Sequence, residues 1–220
     1  MHVVVIGDVI ASRASPDRKA LQEELTRGAA LANQLAHRAA EPLSPYTITL
    51  GDEVQAVYAR PSNVVVDILA FQSALWPVKM RFCVGLGSIT TKLNTRAAIG
   101  MDGPAFYCAR EGIEELKNDR TSSLAVKAER GIDVSVEDSA IRLIHASMAS
   151  WRETRFKLFL ALLRGADVKE IPGHLGISLT AAYKNLSDGR IALLIDAAKA
   201  IGASLERKLV PSPAQRRRSA

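Results

Sequence analysis

The sequence predicts an α+β fold followed by an all-helical segment. Three patterns carry that prediction. An apolar, β-branched run, Val3-Val4-Val5-Ile6, opens the chain and stops at Gly7-Asp8, as a buried central strand does. Alternation with a period of two recurs at Tyr46, Ile48 and Leu50 and again at Met80, Phe82, Val84 and Leu86, with helical spacings between these stretches. From Asp133 onward only helical spacing remains.

After the first strand, Ser15-Pro16-Asp17 is a helix-start signal, with Ser15 as N-cap and Pro16 at the first helical position. Leu21, Leu25, Leu31, Ala32 and Leu35 then stripe a helix to about Ala40. The Tyr46–Leu50 strand turns at Gly51-Asp52 and returns as Val54–Tyr58, a hairpin. A helix is predicted over Ser62–Leu75, ended by Pro77, and the Met80–Leu86 strand follows. Gly103-Pro104 opens a helix with Ala105, Ala109, Ile113 and Leu116 on one side, and Ser122–Ala128 is a last strand. The layered domain therefore covers residues 1–132. Residues 133–206 form helices, and 207–220 a basic tail expected to be disordered. By size the first part can stand alone, whereas the helical part needs something to pack on.

Of the 220 residues, 48% are apolar and 24% charged, which excludes fibrous and intrinsically disordered classes. No apolar run approaches the roughly 18 residues of a membrane helix. The opening residues lack the basic region and cleavage site of a signal peptide, and only Cys83 and Cys108 are present, so reduced thiols in a cytoplasmic protein are expected. Charge is unevenly spread. Residues 1–150 carry 16 basic and 17 acidic side chains, net −1, whereas residues 151–220 carry 13 and 6, net +7. That asymmetry points to a polyanion partner for the C-terminal part, or to a merely solubilising tail.

Two carboxylates stand where a sheet presents side chains to a ligand: Asp8 at the end of the first strand and Asp52 in the hairpin turn. If that strand pairs with a hairpin arm, the two meet. Carboxylates in proximity repel unless a cation lies between them, and oxygen-only donors select Mg²⁺ (or Mn²⁺). Two such ions roughly 3.5–4 Å apart would clamp a phosphoryl transfer. Taken singly, each aspartate is also an ordinary turn former. Gly85 and Gly87 offer room for a close ligand approach, or mark a bulge.

The blocks Ile6-Gly7-Asp8-Val9-Ile10-Ala11-Ser12-Arg13, Thr47-Ile48-Thr49-Leu50-Gly51-Asp52-Glu53-Val54-Gln55, Arg81-Phe82-Cys83-Val84-Gly85-Leu86-Gly87 and Gly100-Met101-Asp102-Gly103-Pro104-Ala105-Phe106 resemble the SatD family of bacterial proteins. In the same order they resemble the class III nucleotide cyclases, and the hairpin also resembles that of diguanylate cyclases. The resemblance, over about residues 3–112, implies a ferredoxin-like nucleotide-cyclase palm. It implies that Asp8 and Asp52 bind metal, with the Val9 carbonyl as a further ligand. Backbone amides from Ile10, Ala11, Ser12 and Arg13 would face a triphosphate, aided by the Ser12 hydroxyl and the Arg13 fork. Glu53 and Asp102 are accessory candidates. Arg110 matches the transition-state arginine of the cyclases; a surface pair with Glu114 one turn on is the alternative. Phe106 stands where the cyclases carry an Asn, a residue is inserted after Asp102, and Ile48 and Ile99 occupy the base-selecting positions. Metal and phosphate binding are therefore better supported than cyclisation.

Lys169 to Leu186 has helix-turn-helix spacing. Ile171 and Leu175 share one face, Gly176 permits the turn, Ile177 plugs the core and Ser178 caps a second helix. It resembles the helix-turn-helix that ends many bacterial regulators. There, Leu179, Thr180, Tyr183 and Lys184 would face the major groove of DNA, while Ser178 and Arg190 meet phosphates. Pro172, where Ala is common, threatens the first helix. Residues 151–206 are only net +2, so a docking or dimerisation module is the alternative. The expectation is a cytoplasmic homodimeric regulator joining a Mg-nucleotide-binding domain to a DNA reader. The alternatives are an active nucleotidyl cyclase, a phosphorus–oxygen lyase consuming a nucleoside triphosphate, and an inert dimeric scaffold.

Overall fold

A computed structural model describes residues 1–12, 17–36, 42–49 and 51–209. Arg13, Ser15, Pro16, Leu50 and the basic tail residues Arg216, Arg217 and Arg218 lie outside the described residues. The chain runs β1 (His2–Val9), α1 (Arg18–Ala36), β2 (Ser44–Ile48), β3 (Glu53–Tyr58), α2 (Val64–Leu75), β4 (Met80–Gly87), α3 (Pro104–Asn118) and β5 (Leu124–Ala128). Five helices follow: α4 (Ser135–Met148), α5 (Glu153–Leu163), α6 (Ile171–Leu175), α7 (Leu179–Asp188) and α8 (Ile191–Leu209). The fold is mixed α+β, as predicted.

The strands form one sheet in the order β2-β3-β1-β4-β5. β1 is antiparallel to both neighbours, β2 is antiparallel to β3, and only β5 runs parallel to its neighbour β4. The crossovers β1-α1-β2 and β3-α2-β4 each step over one antiparallel strand, so two split βαβ units interlock. The interlock puts β1 in the middle. That position explains its sequence, because a strand covered on both faces has no use for polar alternation.

Val3, Val5 and Val9 of β1 join the core under α1 and α2, with Leu25, Ala32, Ile68, Phe71 and Leu75. Val4 and Ile6 join the opposite core under α3, with Phe106, Ala109 and Leu116. Each such fully buried large side chain contributes about 1.5–3 kcal/mol over its exposed state. Helix α1 starts at Arg18, where the Asp17 carboxylate accepts the Ala20 amide at 2.9 Å, so Asp17 closes the first turn.

Helix α4 shields the free edge of β5. The Val126 amide, which would otherwise be an unpaired edge donor, bonds Asp138 at 2.7 Å. Helices α5 and α8 pack onto α2, α8 also packs onto α4, and α6 and α7 pack onto α5. Trp151, Leu158, Phe159, Ala198 and Leu205 belong to the same continuous buried cluster as Val65, Ile68 and Leu69 of α2. At the tightest point Gly202 of α8 lies against the Ser62 carbonyl, where any Cβ would overlap it. The core thus runs through residue 132, where the change from layered sheet to helices occurs. Among the described residues, no helix is long and apolar enough to cross a membrane. Cys83 and Cys108 are free thiols.

Candidate nucleotide and metal site

One end of the sheet gathers polar groups onto the face covered by α3. Asp8 is in phase with Val4 and Ile6 and pairs with Glu53 of β3 on one side and Arg81 of β4 on the other. Ser123, whose carbonyl accepts the Phe82 amide at 2.8 Å, lies just before β5 at the same end. Cross-strand pairing therefore lines up Glu53, Asp8 and Arg81 as one row.

The hairpin turn brings Asp52 to this row. Gly51 takes φ +64°, and the Val9 amide donates to the Asp52 carbonyl at 3.1 Å, locking the turn onto the end of β1. Beyond Val9 the chain bends back. Ile10 donates its amide to the Lys79 carbonyl at 2.8 Å, so that amide is held by the approach to β4 rather than turned outward. Ala11 adopts φ +58°, an uncommon conformation for a residue with a Cβ, and it aims Ser12 inward. The buried Ser12 hydroxyl donates to Oδ2 of Asp52. Asp8, Asp52, Val9 and Ser12 thus converge.

The donor set fits a hard cation. Oδ1 of Asp8 is buried and has no hydrogen-bond partner; the nearest cation, Nη1 of Arg81, stands 3.6 Å away, beyond hydrogen-bond reach. Burial holds the Asp8 carboxyl above the usual carboxylate range, Arg81 and Lys117 pull against that, and the Asp52 charge adds to the rise. A divalent ion between the two carboxylates would remove both penalties. Among the described residues no group of three or more His, Cys, Asp or Glu side chains is placed to hold a metal ion. The protein ligands on offer are two carboxylates with backbone and hydroxyl oxygens, and Mg²⁺ characteristically completes such a set with water and phosphate. Glu53 stands beside the site, but one of its oxygens is taken by Gln55 Nε2 at 2.7 Å and Thr49 Oγ1 at 2.8 Å.

Arg110 and Asp102 lie elsewhere. Helix α3 runs back along β4, so Ala105 and Ala109 stand over Gly85, Gly112 over Cys83, and the Leu116 carbonyl accepts Nε of Arg81 at 3.2 Å. Asp8 therefore sits by the C-terminal end of α3, whereas Asp102 precedes its N-terminus. Arg110 turns towards that N-terminus, 3.3 Å from Asp102, and the Tyr107 hydroxyl donates to the same carboxylate at 2.9 Å. The partner of Arg110 is Asp102, not Glu114, which pairs with Lys117. Phe106, at the cyclase Asn position, is wholly buried. Gly85 and Gly87 open no space for a ligand: α3 fills it, and a Cβ on Gly85 would overlap the Ala105 carbonyl.

The family profile that matches this chain is that of the SatD family, over residues 2–203. The chain belongs to the SatD family. No match to a curated protein accompanies it. The matched stretch spans both the sheet and most of α4–α8, so the helical half of this SatD chain is part of what defines the family.

In that half, Gly176 ends α6 at φ +65° and Ser178 caps α7, its hydroxyl accepting the Ala181 amide at 3.1 Å. Leu175, Ile177 and Leu186 pack against the core, and Ala182 is the buried residue of α7. Pro172 falls in the first turn of α6, where a missing amide costs nothing; the helix is simply short. Leu179, Thr180, Tyr183 and Lys184 are exposed on α7, and Arg190 is exposed in the turn to α8. Arg152, Lys157, Lys169 and His174 are exposed in the same half.

Sequence reasoning did not single out Arg81, Lys117 or the Ser123–His145 contact in this SatD chain. Oγ of Ser123 lies 2.8 Å from Nε2 of His145, and burial lowers the His145 pKa below its usual value. A signal for Arg81 was present. It shares the phase of Cys83 and Gly85, so a cation stands on the inward face of a central strand, where one is rarely found unpaired.

Proposed function

We propose that this SatD-family protein is a regulator that binds a magnesium–nucleotide complex on its sheet and DNA through its C-terminal helices. The observation that carries the first half is the convergence of Asp8 and Asp52 beside a buried carboxylate oxygen with no hydrogen bond. The interlocked split βαβ connectivity supports the ferredoxin-like palm that the likeness to class III cyclases implies. Asp8 and Asp52 would hold the ion, with the Val9 carbonyl. Ser12, Arg13 and the amides of Ala11 to Arg13 would receive phosphate oxygens, the Ile10 amide being held by the Lys79 carbonyl. When bound, the ion neutralises phosphate charge. Exposed Leu179, Thr180, Tyr183 and Lys184 would read a DNA groove, with Ser178 and Arg190 on phosphates.

Binding is favoured over cyclisation. Within one chain Arg110 is turned to Asp102 at the far end of α3, and the buried Phe106 offers no polar group. A second copy would have to supply Arg110, so a cyclase would require a homodimer whose site spans two chains. A homodimer also suits a two-fold DNA operator. The helical half packs on α2, on the face of the sheet opposite α3, so coupling of ligand binding to reader spacing would have to pass through the sheet. Such coupling requires that the nucleotide bind one arrangement better than another.

The deciding experiment is a thermal-shift panel of nucleoside mono-, di- and triphosphates with and without Mg²⁺ or Mn²⁺, followed by mass spectrometry of the incubated nucleotide. A metal-dependent shift without turnover is the expected result. Formation of a cyclic product establishes the enzyme instead, and no shift with any nucleotide rejects the site. Gel shifts with and without the ligand then test the DNA half; identical affinity in both rejects the coupling.

A further inference from the structure

We propose that Arg81 is a resident counter-ion that occupies Asp8 in the metal-free protein and exchanges that carboxylate for a phosphate when the metal–nucleotide arrives. The inference rests on the proposed metal site and assigns a role to a residue outside the ligand set.

Arg81 and Asp8 are direct cross-strand partners on the same face of the sheet. Their charges are 3.6 Å apart, close enough for strong Coulomb attraction yet too far for a hydrogen bond. Both side chains are largely shielded, at 17% and 18% exposure, so water screens the pair weakly. The geometry explains why the spacing persists. Nε of Arg81 is held by the Leu116 carbonyl at the end of α3, at 3.2 Å, which anchors the guanidinium and restrains its approach to Asp8. The pair compensates charge without forming the bonds that would make it hard to open.

Ser12 does the corresponding thing on the other carboxylate, its hydroxyl donating to Oδ2 of Asp52. The metal-free site is therefore closed by one cation and one hydroxyl. A divalent ion on these carboxylates would compete with Arg81 for Asp8 and with the Ser12 hydroxyl for Oδ2 of Asp52. When it binds, it takes over Asp8 and frees the Nη groups of Arg81 at the rim of the same cluster. A planar guanidinium with free donors is matched to a phosphate fork. Lys117 also acts on Asp8, but its ammonium is engaged by Glu114, so Arg81 is the inward cation.

This exchange makes an unusual demand: removing Arg81 must help one ligand and harm another. The test measures binding of Mn²⁺ alone, by the electron paramagnetic resonance signal of the free ion, and of inorganic triphosphate in the presence of saturating Mn²⁺, by calorimetry. Arg81→Gln is expected to bind Mn²⁺ alone about tenfold more tightly and triphosphate about tenfold more weakly than wild type. Arg81→Lys keeps the charge but not the fork. It is expected to bind Mn²⁺ within about twofold of wild type and to lose triphosphate affinity. It also serves if the Gln variant fails to fold, as judged by thermal unfolding.

A purely structural role for Arg81 lowers both affinities together or changes neither, and either result overturns the proposal. If wild type binds no Mn²⁺, the metal site itself fails and Arg81 loses its role with it. If wild type binds Mn²⁺ and Asp8→Asn does not, but Arg81→Gln leaves Mn²⁺ affinity unchanged, only the role of Arg81 fails.

Discussion

Tyr58 donates its hydroxyl to the Asp67 carboxylate at 2.9 Å inside the core between the sheet and α2, where the two residues are 0% and 2% exposed. Burial pushes the Asp67 carboxyl up to about 7, and the Tyr58 hydrogen bond only partly offsets that. The buried pair is therefore a liability whenever Asp67 is charged. Because the folded pKa lies above the ordinary 3.8, the stabilising contribution is fully present below that value and is lost as pH rises through about 7. Urea unfolding should show stability falling by roughly 2–4 kcal/mol between pH 5 and pH 9, at about 1.4 kcal/mol per tenfold change in proton affinity. Asp67→Asn should flatten that slope, and an unchanged slope would refute this account. Asp119, held down to about 2 by hydrogen bonds from Thr121, acts only below the ordinary carboxylate range and leaves this window untouched.

Asp8→Asn and Asp52→Asn should each abolish the Mg²⁺-dependent part of any nucleotide-induced thermal shift while leaving the fold intact. A ligand at 100 times its Kd stabilises by about 2.7 kcal/mol, and that is the amount each variant should lose. A nucleotide shift that survives both substitutions would place the ligand elsewhere.

Gly85→Ala tests what the glycines of β4 are for. The added methyl would overlap the Ala105 carbonyl and crowd the Ala109 amide at 2.6 Å. Backbone cannot swing aside as a side chain can. Urea unfolding should show a loss of about 1–3 kcal/mol, the range for overpacked cores, and α3 should lift from the sheet. A neutral result would mean that α3 is less tightly seated than its contacts imply.

The exposed face of α7 gives a test that leaves the fold alone. Tyr183 is 48% exposed and Leu179 44% exposed, so Tyr183→Ala and Lys184→Ala should leave the unfolding temperature within about a degree. Both should weaken DNA binding in gel shifts, with Lys184→Ala also reducing the salt dependence. Ser178→Ala, in contrast, removes the α7 cap and should cost about 1 kcal/mol of stability. Unchanged DNA affinity in the first two would favour the docking-module reading.

Much of this architecture was legible in the residues. The Val3–Ile6 run, the alternation in β4 and the helical stripes of α1 and α3 are local patterns, each written within one element. The helix start expected at Ser15-Pro16 lies outside the described residues; within them Asp17 accepts the Ala20 amide at the first turn of α1. The role of Gly85 and Gly87 was not legible. Space for a ligand and space for a helix look the same in one dimension, and here α3 fills it.

The residue pattern by itself put forward Asp8 and Asp52 as candidates for a hard cation, because one follows an apolar strand run and the other sits in a Gly-Asp turn. It also determined that Ser178 would start a helix, since a cap acts within three residues. Tertiary structure alone decided that Arg81 faces Asp8, that Arg110 turns to Asp102 at the other end of α3, and that the helical half shares the core of the sheet. These are relations between residues far apart in sequence. They arise from strand register and helix packing, which depend on how separate elements bury their faces together rather than on any local pattern.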